Sequence, residues 1–199
     1  MSSEYKYPTS EGDLRRLAGE MMAGMEPKEA DMGEKTAGDQ ETTHVYTVHR
    51  GDMMIDAPVE RVWPWVIDYA SWQNYSIQEN VSGEPGAEGE VVRLKKDEPG
   101  SSGTPYLART ILIEPERRII WKTFMEDAPY FGIVEFEVED VDGRTRFSYR
   151  TLYENVLPTT DPDEVAEFRR ERTVGIEEMV ASIFPKLKEY AEAGVARSR

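Results

Sequence analysis

Apolar and polar positions along this chain switch between two periods, and the switches mark the elements. Val45–Ile55 reads as a strand. Val59, Val62, Trp63, Val66 and Ile67 then recur at helical spacing, which predicts a helix over Pro58–Tyr69 and a short second turn or helix over Ala70–Tyr75. Asp56 is placed to cap that first helix, because its carboxylate accepts from orphan backbone N–H groups. Pro58 fits the first turn, where a missing N–H costs nothing. Strand patterns follow at Ile77–Ser82 and Glu90–Lys96, at Tyr106–Ile113 and Arg118–Glu126, and at Phe131–Glu139 and Arg144–Asn155. The segments between the members of each pair are G-E-P-G-A-E-G, E-P-E-R and D-V-D-G, all turn-forming. Asp161 and Pro162 then open a long helix running to Ala191, with Pro185 inside it as a bend.

The first 44 residues follow neither pattern for long. Ser10–Met25 suits one short helix with the apolar stripe Leu14, Leu17, Ala18, Met21 and Met22. Glu26–Thr43 reads as a polar linker. The expected organisation is an N-terminal extension over 1–44, one domain over 45–192 and a tail over 193–199. Strands joined by short turns make an antiparallel sheet. The predicted fold is therefore α+β, with a curved seven-stranded sheet around the long C-terminal helix and two short helices after the first strand.

The opening I-D-A-P-V-E-R-V-W, followed by D-Y-A-S-W, resembles the start of START/Bet v 1-like helix-grip (SRPBCC) domains. With the late stretch A-P-Y-F-G-I-V-E-F-E-V-E-D-V-D-G-R-T-R-F-S-Y-R, the chain is most similar to the polyketide cyclase/dehydrase branch. The resemblance spans roughly residues 45–192. It implies a deep, mostly apolar cavity between sheet and helix, used to bind or carry hydrophobic molecules or to cyclise and dehydrate polyketides. No cofactor is expected. The chain departs from the branch at two positions: Ile113 stands where its cavity arginine falls, and Glu79 where its tyrosine falls. That departure puts cyclase activity in doubt.

Strand alternation assigns faces. Glu135, Glu137 and Glu139 share one face of their strand, which must be the outer one. Arg144, Arg146, Ser148 and Arg150 likewise face out, so Thr145, Phe147, Tyr149, Thr151 and Tyr153 face in. Ile119, Trp121, Thr123 and Met125 form the inward set of their strand. Tyr106–Ile113 is ambiguous: either Leu107, Arg109, Ile111 and Ile113 face in, or Tyr106, Ala108, Thr110 and Leu112 do. Counting back from the Glu-Pro turn, on the resemblance, selects the first set and brings Arg109 to the cavity mouth.

Candidate ligand contacts are Trp72, Tyr75, Arg109, Trp121, Tyr149, Thr151, Tyr153, Arg172 and Ile176. Arg172 stands inside the long helix's apolar stripe, between Phe168 and Ile176. A buried guanidinium needs a partner. Polarising a ligand carbonyl beside Tyr149 is one use for it. An ion pair with a carboxylate such as Glu154 is the alternative. Arg172 and Tyr149 are thus the best catalytic candidates. Trp63 falls on the core stripe and Trp65 off it. Gly83, Gly86 and Gly89 lack the Lys-Ser/Thr of a phosphate loop and precede a strand, so they read as a hairpin loop.

Composition narrows the function classes. The 199 residues include 24 Lys and Arg against 39 Asp and Glu, a formal charge of −15. Such a charge repels nucleic acid and anionic membrane surfaces. No run reaches the roughly 18 apolar residues of a bilayer span, so no stable membrane insertion is expected. No Cys is present, and His44 and His49 are the only imidazoles, so a multi-histidine or thiolate metal site is excluded within one chain. The expected partner is a hydrophobic small molecule, bound by a cytoplasmic monomer or homodimer. A protein-interaction module is the remaining alternative.

Overall fold

A computed structural model describes residues 41–68, 72–73, 75–96, 106–125 and 130–194. The N-terminal helix and most of the linker expected over 1–44, and most of the tail, lie outside the described residues. β1 (Thr43–Ile55) leads into α1 (Val59–Ile67). Six strands follow: β2 (Tyr75–Ser82), β3 (Val91–Lys96), β4 (Tyr106–Glu114), β5 (Arg118–Phe124), β6 (Tyr130–Val141) and β7 (Arg144–Leu157). α2 (Pro162–Ala193) closes the domain. The strands form one antiparallel sheet in the order β1-β7-β6-β5-β4-β3-β2. The first strand therefore pairs with the last, in register from Thr43–Leu157 to Ile55–Thr145.

The predicted sheet and long helix are present. α1 is the helix after β1 that is described over its full length; of the short second turn or helix expected over Ala70–Tyr75, Trp72 and Gln73 are described and helical, while Tyr75 already opens β2. One local expectation is corrected. The α1 cap is Pro58, without a side-chain acceptor, rather than Asp56. The Pro58 carbonyl accepts from the N–H groups of Arg61 and Val62. Asp56 lies earlier and donates its own N–H to Glu192 Oε1 at 2.7 Å. At α2 the sequence expectation stands: Asp161 accepts from the Asp163 N–H at 2.8 Å, with Pro162 next.

The inner face of the sheet carries the core. Ile55, Phe136, Phe147 and Trp121 pack with Val62, Trp63 and Val66 of α1 and with Ile183, Phe184 and Leu187 of α2. Trp72 is completely buried at the centre, with its ring centroid 5.5 Å from Phe136, 6.2 Å from Phe147 and 6.5 Å from Phe184. Its indole N–H donates to the Trp65 carbonyl at 2.8 Å. Burying an indole this way demands such a partner. Trp65, off the helical stripe, is half-buried against Tyr190.

On the outer face, Glu135 is in line with the expected acidic row, but it is buried there. Arg118 and Arg150 both donate to its carboxylate. The carboxylate is shielded because two guanidinium groups neutralise it.

The C-terminal half of α2 is fastened at one end of the sheet. Lys188 Nζ donates to the Met54 carbonyl at 2.6 Å. Arg61 of α1 donates to the Ala191 and Glu192 carbonyls at 2.8 and 2.7 Å. A helix leaves its last carbonyls unpaired and its C-terminus partly negative, so a guanidinium there serves both needs. Arg61→Ala is expected to lower stability by about 0.5–1.5 kcal/mol, read as a reduced urea midpoint at unchanged m-value. No shift in the midpoint would remove this clamp from the account.

Candidate functional site

Between the inner face and α2 lies a cavity of about 540 Å³. This falls within the range of small-molecule sites. Its aromatic end is Trp121, Phe136 and Phe184, with Trp121 and Phe136 centroids 5.3 Å apart. Tyr75 and Tyr106 flank it, edge to face at 5.3 Å. The other wall is β7, where alternation presents Tyr149, Thr151, Tyr153 and Asn155 to the space beneath α2. Arg172 and Ile176 descend from the helix.

Most of the expected contacts thus converge. Tyr75, Trp121, Tyr149 and Thr151 line the cavity, as do Tyr153, Arg172 and Ile176. Trp72 and Arg109 do not. Trp72 stands in the core. Arg109 lies on the opposite face of β4, because its cross-strand partner is Lys122 and not an inward residue of β5. The reason is a bulge in β4 between Thr110 and Leu112. Before it, Ala108 and Thr110 oppose the inward Thr123 and Trp121; after it, Ile113 opposes the inward Ile119. A bulge adds one residue and reverses the phase, so each of the two alternations read from the sequence applies to one half of the strand. Glu154 accepts from the Tyr46 hydroxyl at 2.8 Å and contacts His44 Nδ1 at 2.6 Å.

Arg172 stacks on a tyrosine. Its guanidinium carbon lies 5.0 Å from the Tyr153 ring centroid, a cation–π distance. Two glycines make this wall possible. Gly132 lies directly across from Tyr153, and Gly51 across from Tyr149. A Cβ on Gly132 would come within 2.6 Å of the Tyr153 ring, and one on Gly51 within 2.7 Å of the Tyr149 ring. Each ring therefore rests against the sheet where the neighbour has no side chain. The Tyr149 ring also meets Phe184 edge-on at 4.7 Å.

Two polar residues of this region were missed from sequence. Asn155 continues the β7 alternation by one step beyond Tyr153, so the pattern already pointed to it. His49, on β1 opposite Thr151, is buried and its Nε2 has no protein partner. Burial pushes the His49 imidazole below its usual range, and the nearby Arg172 charge adds to this, against an opposing pull from Glu177. Burial, aided by the Glu177 charge, raises the Tyr149 hydroxyl, which stays protonated and is a donor at neutral pH. Among the described residues no three His, Asp or Glu side chains gather to hold a metal ion.

A seven-stranded antiparallel sheet gripping a long C-terminal helix around an apolar cavity is a helix-grip domain of the Bet v 1-like (SRPBCC) class. Within that class, the chain belongs to the family described as Activator of Hsp90 ATPase homolog 1-like protein, matched over residues 56–192. The superfamily read from the opening motif is thus correct. The match does not single out the polyketide cyclase/dehydrase branch. Among solved structures, TTHA0849 from Thermus thermophilus is similar at 19% identity and a TM-score of 0.56, over 75% of this chain and 100% of that one. Norcoclaurine synthase from Thalictrum flavum, in complex with dopamine and hydroxybenzaldehyde, is similar at 13% identity and a TM-score of 0.54, over 77% and 91%. Ara h 8.0201 is similar at 16% identity and a TM-score of 0.51, over 75% and 99%. At these identities the likeness is one of fold. No curated protein matches the sequence. The fold typically binds hydrophobic ligands. Among the described residues no helix is long and apolar enough to cross a membrane.

Two measurements test this wall. Gly132→Ala is expected to destabilise by about 1–3 kcal/mol, because the added methyl displaces the Tyr153 ring; a neutral result in urea unfolding would show that the ring has room. The second concerns His49. An unfolded imidazole takes up a proton near its ordinary value of about 6.5, before the folded one does. The stability contributed by neutral His49 is present above that value and lost as pH falls toward the folded-state value. The wild type should therefore lose more stability between pH 7 and 5 than His49→Gln, and parallel curves would refute the assignment.

Proposed function

We propose that this domain binds a hydrophobic or aromatic small molecule in the cavity beneath α2. The observation that carries the reading is the open volume itself, bounded by Trp121, Phe136 and Phe184 at one end and by Tyr153, Thr151 and Arg172 at the other. An interaction module would gain nothing from an unfilled core, because a void forfeits packing contacts. A carrier or sequestering protein needs such a volume. Norcoclaurine synthase, which shares the fold, is described in complex with two small aromatic molecules, dopamine and hydroxybenzaldehyde.

A second reading is catalytic, and one observation favours it. The protonated Tyr149 hydroxyl and the Arg172 guanidinium line the same cavity. Together they suit the polarisation of a ligand carbonyl, as in cyclisation or dehydration of a polyketide-type substrate. Binding is common to both readings and is tested first.

Fluorescence titration with N-phenyl-1-naphthylamine, a neutral apolar probe, should show saturable enhancement in the full-length chain. Ile176→Trp places an indole in the cavity and should weaken the probe at least tenfold while the protein still melts cooperatively. Equal affinity in both proteins would place the probe elsewhere and sink the reading. Native mass spectrometry of protein purified from its host identifies a retained ligand directly.

A further inference from the structure

The protein is strongly acidic, yet its cavity is not. Among the described residues that line the cavity, Arg172 is the only one with a formal charge. A chain with a net charge of −15 thus places a single cation, and no carboxylate, among the described residues of this lining. Glu177, whose field reaches Tyr149, stands on the exposed side of α2 and is not part of the lining.

The polar groups around Arg172 point the same way. Thr151 is 3% exposed, and its hydroxyl has no protein partner. Asn155 lines the same wall, and its buried Nδ2 has none either. An unmatched buried donor costs roughly 1–3 kcal/mol. Thr151, Tyr153 and Asn155 occupy alternate positions on β7 and so present their side chains to one side. The wall therefore gathers a guanidinium, a hydroxyl and an amide NH₂, all donors. Toward Phe136 and Phe184 the lining is mainly aromatic and aliphatic and includes the Tyr149 ring.

We infer that the ligand is an amphipathic carboxylate, with an apolar body against the aromatic end and its carboxylate among Arg172, Thr151 and Asn155. A guanidinium with two neutral donors suits the two oxygens of a carboxylate. The inference rests on the cavity being a binding site, as proposed above, and adds the headgroup and the orientation.

Displacement of bound N-phenyl-1-naphthylamine by dodecanoate and by dodecan-1-ol compares the same chain with and without the carboxylate. At pH 7.5 the wild type should favour dodecanoate at least tenfold. Arg172→Met should bring the ratio close to one without weakening the alcohol. Thr151→Val, nearly isosteric, should cut the ratio about threefold and is the control should Arg172→Met fail to fold. Equal displacement by acid and alcohol in the wild type, or a preference that survives Arg172→Met, overturns the headgroup assignment while leaving cavity binding intact. Failure of the probe and of both chains to bind overturns the cavity reading and the headgroup assignment with it.

Discussion

One sheet face has to be covered, and among the described residues one long helix lies against it. Seven strands about 4.8 Å apart span roughly 29 Å, whereas a helix with its side chains is about 10–12 Å across. A flat sheet would leave most of its inner face in water. Curling around the helix shortens the distance, and α1 covers one end. What remains is a space that side chains do not fill. The cavity is thus a geometric consequence of laying a long helix across a sheet wider than it can cover.

Where that space lies depends on how α2 is held. Its buried residues crowd toward the C-terminal half, at Ile183, Phe184, Leu187 and Ala191. There Arg61 and Lys188 tie it to α1 and to the end of β1. Its earlier turns bury only Val165 and Ile176. The cavity opens under this less tightly packed stretch, and Arg172 occupies it. Fastening one end of the helix and leaving the middle loosely packed gives a stable fold with room inside.

The wall facing Arg172 depends on residues that lack side chains as much as on those that have them. Tyr149 and Tyr153 lie against Gly51 and Gly132, so their rings follow the sheet surface instead of standing across the cavity. With larger residues at these two positions the rings would be driven into the space a ligand needs. Volume and wall chemistry are therefore coupled through two cross-strand pairs.

Local patterns were enough for much of this. Alternation along β5 and β7 placed Trp121, Tyr149, Thr151 and Tyr153 on the inner face, and helical spacing put Arg172 and Ile176 on the stripe that faces them. Periodicity reports which face a residue occupies, and facing is most of what defines a cavity wall. It misled at β4, where a bulge reverses the phase and turns Arg109 outward, because a bulge leaves no mark in a period-2 pattern. It misled at Trp72, since an aromatic near a helix end suits a cavity rim and a core equally until its neighbours are known. His49 went unread because nothing in its own segment announces the Arg172 and Glu177 charges that α2 brings to it. The sequence by itself thus determined the elements, their order and most of the inward faces, because these depend on neighbours a few residues apart. The cross-strand Gly–Tyr pairs, the reversal in β4 and the gathering of donors around one half-buried cation were decided only by the tertiary structure, because each depends on residues that are distant along the chain and adjacent only once the sheet has closed around its helix.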